Sequence, residues 1–169
     1  MKKIIIFIIS LLPVMCGFTQ NSGIPSVEIK NLDNKVVNSS VINNAGKPII
    51  LDFLATWCKP FIKELTAIAE NYETWQKETG VKVVAVSIDD SRTMSKVAPF
   101  VNVKDWEFEF YLDPNSDFKR AMNVSEAPHT FIIDGKGNVV WQHKGYIEGD
   151  EAILYELLKK VAKGEQINN

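Results

Sequence analysis

The stretch IILDFLATWCKPFIKEL, residues 49–65, decides the fold of this chain. Its first part, 49–55, is an apolar run of the kind that forms a strand buried on both faces of a sheet. From Phe61 onward, apolar side chains recur at spacings of four and three residues, which predicts an amphipathic helix ending near Gly80. This apolar stripe consists of Phe61, Leu65, Ile68, Tyr72 and Trp75. Cys58 therefore lies where a buried strand leads into the first turn of a helix.

The rest of the chain alternates between predicted strands and helices. A hairpin over 26–37 precedes the stretch described above, and the later elements continue the alternation. They are strand 81–88, helix 91–101, strand 108–112, helix 117–122, strands 129–134 and 139–143 joined by a glycine-containing turn, and helix 150–163. This order predicts an α/β fold, with a central mixed β-sheet flanked by helices and an N-terminal β-hairpin extension.

The first residues have the pattern of a secretory signal. Lys2 and Lys3 precede an apolar stretch that is too short to span a bilayer but has the length of a signal-peptide core. We expect a signal peptide over 1–19, a flexible stub over 20–25, one domain over 26–163 and a tail over 164–169. This predicts a periplasmic or secreted protein that is not transmembrane after signal removal. Lipid attachment at Cys16 is a less favoured alternative, because the residue before it is not small.

Charge and cysteine content narrow the classes of function. The formal net charge is −2, and loss of Lys2 and Lys3 would take it to −4, so the chain has no basic surface typical of nucleic-acid binding. Removal of the signal leaves Cys58 as the only cysteine, which excludes an intramolecular disulfide. A single free thiol in an oxidising compartment predicts a reactive or intermolecular role. An inert buried thiol is the alternative.

Three separated motifs carry a resemblance to a known family. They are LDFLATWCKP at 51–60, VAVSIDDS at 84–91 and APHTF at 127–131. In this order they resemble the TlpA/ResA-like group of secreted thiol–disulfide oxidoreductases, within the thioredoxin superfamily. The resemblance implies a thioredoxin-like domain over 26–163, a redox role for its thiol, and no cofactor. Where the family motif W-C-x-x-C has its second cysteine, this chain has Phe61.

The active-site motif is Trp57-Cys58-Lys59-Pro60-Phe61, and the resemblance implies that Cys58 is its nucleophile. The free N–H groups and the dipole of a helix N-terminus favour an anion at this position. Pro60 suits the first turn of a helix. Thiol–disulfide exchange passes through a mixed disulfide, so Cys58 can begin the reaction, but position 61 offers no sulfur to complete it. Phe61 also begins the apolar stripe, so we expect it to pack in the core.

Two acidic residues are candidate proton donors or acceptors near the thiol. Asp52 interrupts the apolar run, where burial raises the pKa of a carboxyl group, and it matches the carboxylate that assists the second cysteine of thioredoxins. Glu64 matches an active-site glutamate of the ResA-like proteins. Each also has a structural interpretation, as a hydrogen-bonded buried carboxyl or as an ordinary acid near a helix N-terminus. Asp89 and Asp90 follow a buried strand, and the simpler interpretation is a helix N-cap pair.

The motif at 127–131 resembles the cis-proline loop that faces the active-site cysteine in this superfamily. The resemblance implies that Ala127, Pro128 and His129 border the site, where the loop offers backbone hydrogen bonds to an extended client peptide. His129 could approach Cys58. One cysteine and one histidine are too few for a zinc site, so we expect no metal.

Three functions remain open from the sequence alone. The leading one is thiol–disulfide exchange through Cys58 with client protein thiols or disulfides, or with small thiols. The client's second thiol or an external reductant then releases the client. The second is a redox-inactive binding module that keeps the peptide groove, which Phe61 motivates. The third is a thiol peroxidase. We rank it last because peroxiredoxins place a threonine three residues before the reactive cysteine, where this chain has Ala55.

Overall fold

A computed structural model describes residues 23–167, so the predicted signal peptide and Cys16 lie outside the described residues. The strands are β1 (Glu28–Asn31), β2 (Val36–Asn38), β3 (Ile49–Leu54), β4 (Lys82–Ser87), β5 (Glu109–Leu112), β6 (His129–Ile133) and β7 (Val139–Lys144). The helices are α1 (Lys59–Thr79), α2 (Val97–Lys104), α3 (Asp117–Ala121) and α4 (Asp150–Ala162). Within residues 23–167, no helix is long and apolar enough to cross a membrane.

The seven strands form one mixed sheet in the order β2-β1-β5-β4-β3-β6-β7. Strands β5, β4 and β3 run parallel at its centre, and the outer pairs are antiparallel. The predicted α/β fold with a central mixed sheet and an N-terminal hairpin is therefore confirmed. Because β3 and β4 are parallel neighbours, their carboxyl ends lie side by side at one edge of the sheet. The chain leaves β3 at that edge toward Cys58.

Helices cover both faces of the sheet, which explains the continuous apolar run of its central strand. On one face, side chains from α1, α2 and α4 form a single cluster with the sheet. On the other, Phe118 of α3 packs edge-on against Phe53, with 5.1 Å between the ring centroids. All six residues of β3 are buried. Asp52 is thus a carboxyl group placed in the middle of a strand that has no solvent-facing side.

Helix α1 has recognisable signals at both ends. Pro60 lies in its first turn, where a missing N–H leaves no hydrogen bond unmade. Gly80 ends the helix in the left-handed conformation (φ 69°), which glycine adopts without steric cost, and its N–H donates to the Gln76 carbonyl at 2.8 Å. The helix therefore begins at the residue directly after Cys58.

The predicted helix over 91–101 is wrong at its start. The chain first makes a turn and a short 3-10 helix, and α2 begins only at Val97. The side chain of Asp90 accepts hydrogen bonds from the backbone N–H groups of Arg92 and Thr93, which closes the turn. Proline is tolerated in the first turn of a helix but breaks its interior, so a helix that contains Pro99 must begin close to it.

The loop that contains Gly135 packs so closely against the loop that contains Gly46 that position 135 has no room for a side chain. A Cβ atom there would lie 1.9 Å from the carbonyl oxygen of Gly46, a backbone atom that cannot rotate away. We expect Gly135→Ala to lower the free energy of unfolding by about 1–3 kcal/mol, as for other overpacked sites, measured by urea unfolding. Lys136→Ala, at an exposed position in the same turn, is the control. Equal stabilities of the two variants would contradict the loop packing.

Candidate active site

Cys58 occupies the N-cap position of α1, with an extended backbone (φ −95°, ψ 108°). Its side chain is partly exposed, and it is the only cysteine among residues 23–167. The thiol donates a hydrogen bond to the carbonyl oxygen of Ala127, 3.4 Å from the sulfur. The peptide bond between Ala127 and Pro128 is cis, as the resemblance implies. The helix start and the cis-proline loop thus meet at the thiol.

Asp89 holds the segment that leads into Cys58. Its carboxylate accepts hydrogen bonds from the backbone N–H of Thr56 at 2.8 Å and from the Thr56 hydroxyl at 2.6 Å. A third comes from the hydroxyl of Ser87 at 2.8 Å, and Asp89 is fully buried. The prediction of a helix cap is therefore wrong for Asp89. Its role follows from the pairing of β4 with β3, which brings the residues after the two strands together.

Of the other residues in the motif, three lie at the surface and one lies in the core. Lys59 and Pro60 are exposed, and Trp57 is 68% exposed beside the thiol. Phe61 is fully buried, and its ring packs against Phe100 with 6.0 Å between the centroids. The expectation that Phe61 packs in the core is confirmed. The position of the family's second cysteine is therefore occupied by a core side chain.

A threonine hydroxyl connects the two acidic candidates. The Oγ1 atom of Thr130 lies 2.6 Å from Oε1 of Glu64 and 3.4 Å from Oδ1 of Asp52, and all three residues are buried. A hydroxyl group has one proton to donate, so it cannot donate to both carboxyl groups at once. Thr130 was given no functional role from the sequence. In the structure it pairs directly with Asp52 across β3 and β6.

Burial raises the pKa of both carboxyl groups. For Asp52, desolvation is the main cause, the charge of Glu64 adds to it, and the hydrogen bond from Thr130 opposes it. For Glu64, desolvation raises the pKa to about 7, the Thr130 bond opposes this, and the charge of Asp150 adds to it. Oδ2 of Asp52 and Oε2 of Glu64 have no hydrogen-bond partner within the described chain. Two such carboxyl groups cannot readily ionise together, so the pair retains a proton near neutral pH.

A small cavity lies on the solvent side of Glu64. Its volume of about 10 Å³ is close to the space that one water molecule occupies. Thr130, Tyr146 and Asp150 line it together with Glu64. His143 borders it too, and Nε2 of that histidine lies 3.4 Å from a carboxylate oxygen of Asp150 at the partly exposed outer wall. Of the two buried acids, Glu64 borders this water-sized space and Asp52 does not line it.

Within the residues that the structure describes, His129 makes no hydrogen bond to the thiol. Its Nε2 atom lies 3.1 Å from the side-chain oxygen of Gln142, and its ring stacks on Phe131 with 4.3 Å between the centroids. The other ring nitrogen, Nδ1, is buried without a partner in the described part of the chain. Desolvation lowers the pKa of this histidine, so its neutral form is favoured. Among residues 23–167, no group of three or more His, Cys, Asp or Glu side chains could hold a metal ion.

The raised pKa of Glu64 predicts how stability depends on pH. The folded protein binds the proton on Glu64 more tightly than the unfolded chain, whose reference pKa is 4.5. The stability that this group contributes is therefore complete below about pH 4.5 and is lost as the pH rises through about 7. We expect Glu64→Gln to be more stable than the parent by about 3 kcal/mol at pH 8, with little difference at pH 4.

Urea unfolding across this pH range provides the measurement. Glu73→Gln, at an exposed position on the same helix, is the matched control and should follow the parent protein. Parallel curves for Glu64→Gln and the parent protein would contradict the assignment of a buried, protonated Glu64.

Comparisons with known proteins agree with this fold and motif arrangement. A model of the AhpC/TSA family matches residues 21–142. A relative named thiol-disulfide oxidoreductase ResA, from Bacillus thuringiensis subsp. konkukian, is 30% identical, and the alignment covers 95% of this chain and 98% of the relative. ResA of Bacillus subtilis is 29% identical, with 88% and 79% covered.

A solved structure of a thioredoxin-like protein is also similar to this chain. The solution structure of an uncharacterized thioredoxin-like protein from Porphyromonas gingivalis is 47% identical and superposes with a TM-score of 0.75, covering 86% of this chain and 95% of that one. The resemblance drawn from the sequence motifs is therefore confirmed. The chain belongs to the AhpC/TSA family, has a thioredoxin-like fold, and is a relative of the ResA thiol–disulfide oxidoreductases.

Proposed function

We propose that this protein carries out thiol–disulfide exchange through Cys58 alone. The observation that carries the proposal is the placement of one partly exposed thiol at a helix start, opposite the cis-proline loop, with Phe61 buried where a resolving thiol would stand. The relatives named thiol-disulfide oxidoreductase support the same class of activity. Their second active-site cysteine has no counterpart here, so the mechanism proposed for this chain uses a single thiol.

The reaction proceeds in two exchanges. The Cys58 thiolate attacks one sulfur of a client disulfide, a new disulfide forms between Cys58 and the client, and the client's other sulfur leaves as a thiolate. A second thiol then attacks this mixed disulfide and releases Cys58 as a thiolate. That second thiol belongs to the client, which gives isomerisation, or to a small external thiol, which leaves the client joined to that small thiol by a disulfide. A second small thiol then attacks this disulfide, forms the oxidised small-thiol disulfide and releases the reduced client. No oxidant is consumed in either exchange.

We assign Asp52 and Glu64 a role in proton transfer for this exchange. Glu64 lies on the same helix as Cys58, six residues later, or about 9 Å along the axis. Its pKa of about 7 lets it gain or lose a proton near neutral pH. Thr130 joins it to Asp52. The helix start, the exposed Trp57 and the loop at Ala127 and Pro128 would then form the surface that receives the client.

The proposed location is outside the cytoplasm. The basic and apolar residues at 2–15 support a signal peptide over 1–19, which would leave a stub over 20–25, the thioredoxin-like domain over 26–163 and a tail over 164–169. Such a compartment contains client proteins with disulfides. Repeated reduction of clients there would require an external thiol or reductant partner, whereas isomerisation would not.

Two other functions predict different behaviour. A redox-inactive binding module, which the burial of Phe61 favours, would bind its partner equally well after Cys58→Ser. A thiol peroxidase would consume peroxide steadily with a small-thiol reductant. Two observations count against the peroxidase. Ala55, not a threonine, occupies the position three residues before Cys58, and the hydroxyl of the neighbouring Thr56 is already bound to Asp89.

The exchange activity is tested with a disulfide-bonded peptide and glutathione. We expect the parent protein to accelerate equilibration between the two, monitored by chromatography after acid quenching, and we expect Cys58→Ser to fall to the uncatalysed rate. Partner binding and peroxide consumption are measured on the same samples. No acceleration by a correctly folded parent protein would overturn the proposal.

Restoring the missing cysteine should change the mechanism. In Phe61→Cys the new thiol would lie three residues after Cys58, the spacing of the family's W-C-x-x-C motif. We expect a reversible disulfide between the two and a gain of dithiol reductase activity, because the second thiol can resolve the mixed disulfide. The expected cost is a lower stability, about 2–4 kcal/mol for removal of a buried ring.

Phe61→Ala is the control, since it loses the same ring without adding sulfur. It should show the loss of stability but no gain in reductase activity. Absence of the disulfide in oxidised Phe61→Cys, read from thiol counts by mass spectrometry, would contradict the placement of the helix start.

A further inference from the structure

A groove of about 380 Å³ begins one helical turn from the thiol. One of its walls is a stripe on α1 formed by Ile62, Thr66 and Glu70, which follow Cys58 at intervals of four residues. Residues four apart lie on the same face of a helix, about 6 Å apart along its axis. The groove therefore extends directly from the proposed nucleophile along the surface of α1.

The opposite wall is the loop before α4 and the first turn of that helix. Tyr146, Glu148 and Glu151 contribute its side chains. The backbone N–H of Gly145 donates a hydrogen bond to the carbonyl oxygen of Pro128 at 2.8 Å, which joins this loop to the cis-proline loop. A client that lies against the cis-proline loop would thus have the groove beside it.

The lining combines apolar and acidic side chains. Ile62 and the Tyr146 ring provide apolar surface, and the carboxylates of Glu70, Glu148 and Glu151 outnumber the single cation, Lys63. The carboxylate of Glu151 is held in place by the Tyr146 hydroxyl at 2.7 Å and by the N–H of Gly149 at 2.9 Å. The formal charge of the lining is therefore −2.

We propose that this groove binds the side chain of a lysine or arginine located near the reactive cysteine of a client. Such a side chain has an aliphatic stem and a cationic end, which match the apolar side chains and the carboxylates of the lining. The proposal rests on the exchange function proposed above and specifies its client class. In an extended client, about 3.3 Å per residue places the basic residue two to four positions from the cysteine.

Three peptides test the proposal. Each has one cysteine, activated as a mixed disulfide with 2-thiopyridine, and they differ only in Lys, Gln or Glu three positions from that cysteine. The Cys58 thiolate attacks the peptide sulfur, the peptide–Cys58 disulfide forms, and 2-thiopyridone leaves and is measured by its absorbance. We expect the Lys peptide to react about tenfold faster than the Glu peptide at low ionic strength, as for electrostatically steered association. The Gln peptide should be intermediate, and salt should reduce the difference.

Charge-reversal variants test whether the preference for the Lys peptide arises in the groove or elsewhere on the surface. Glu148→Lys should remove most of the preference, and Glu70→Lys combined with Glu148→Lys should invert it. Glu107→Lys makes the same change of charge just before β5, at the edge of the sheet opposite Cys58, and should keep the parental preference.

The outcomes distinguish the two proposals. Equal rates for the Lys and Glu peptides, together with normal reaction of the Gln peptide, would overturn the groove and leave the exchange function intact. An equal effect of Glu107→Lys and Glu148→Lys would also overturn the groove. Failure of Cys58 to react with any of the three peptides would overturn the exchange function itself.

Discussion

The turn from β3 into α1 is the constraint on which the site depends. Strand β3 is buried along its whole length, and the apolar stripe of α1 must pack back over one face of the same sheet. Only residues 55–58 are available for the change of direction. Asp89 fixes this turn through its hydrogen bonds to the amide and hydroxyl of Thr56. Cys58 is thereby held at the helix N-cap, opposite the carbonyl of Ala127.

Phe61 and the buried acid pair differ in what they contribute to stability. Phe61 is an ordinary core residue, fully buried with its ring packed against Phe100. Asp52 and Glu64 are costly by comparison, because each has an oxygen atom without a partner in the described chain and a raised pKa. The proton-transfer role proposed above would account for a pair that lowers stability near neutral pH.

Local patterns in the sequence predict the fold and the position of the thiol. The apolar run of β3, the stripe from Phe61 and the glycine at the end of α1 each report on nearby residues, and each agrees with the structure. The late start of α2 was also predictable, because Pro99 excludes a helix that begins eight residues earlier.

Contacts between distant parts of the chain were not predictable in this way. The hydroxyl that joins the two acids belongs to Thr130, which is 66 residues from Glu64 and 78 from Asp52. Asp89 acts on Thr56 across 33 residues. The groove brings α1 together with a loop that begins at Gly145. Such pairings depend on strand order and helix packing, which no short stretch of the sequence contains.

The lifetime of the mixed disulfide distinguishes a single-thiol mechanism from one with a resolving thiol. A single-cysteine peptide is attached to Cys58, excess thiol is removed, and the intact mass is followed over time. We expect one adduct that persists and is released only when an external thiol is added, because Phe61 leaves no sulfur to resolve it. Loss of the adduct without added thiol, or failure of the folded protein to form it, would contradict the single-thiol mechanism.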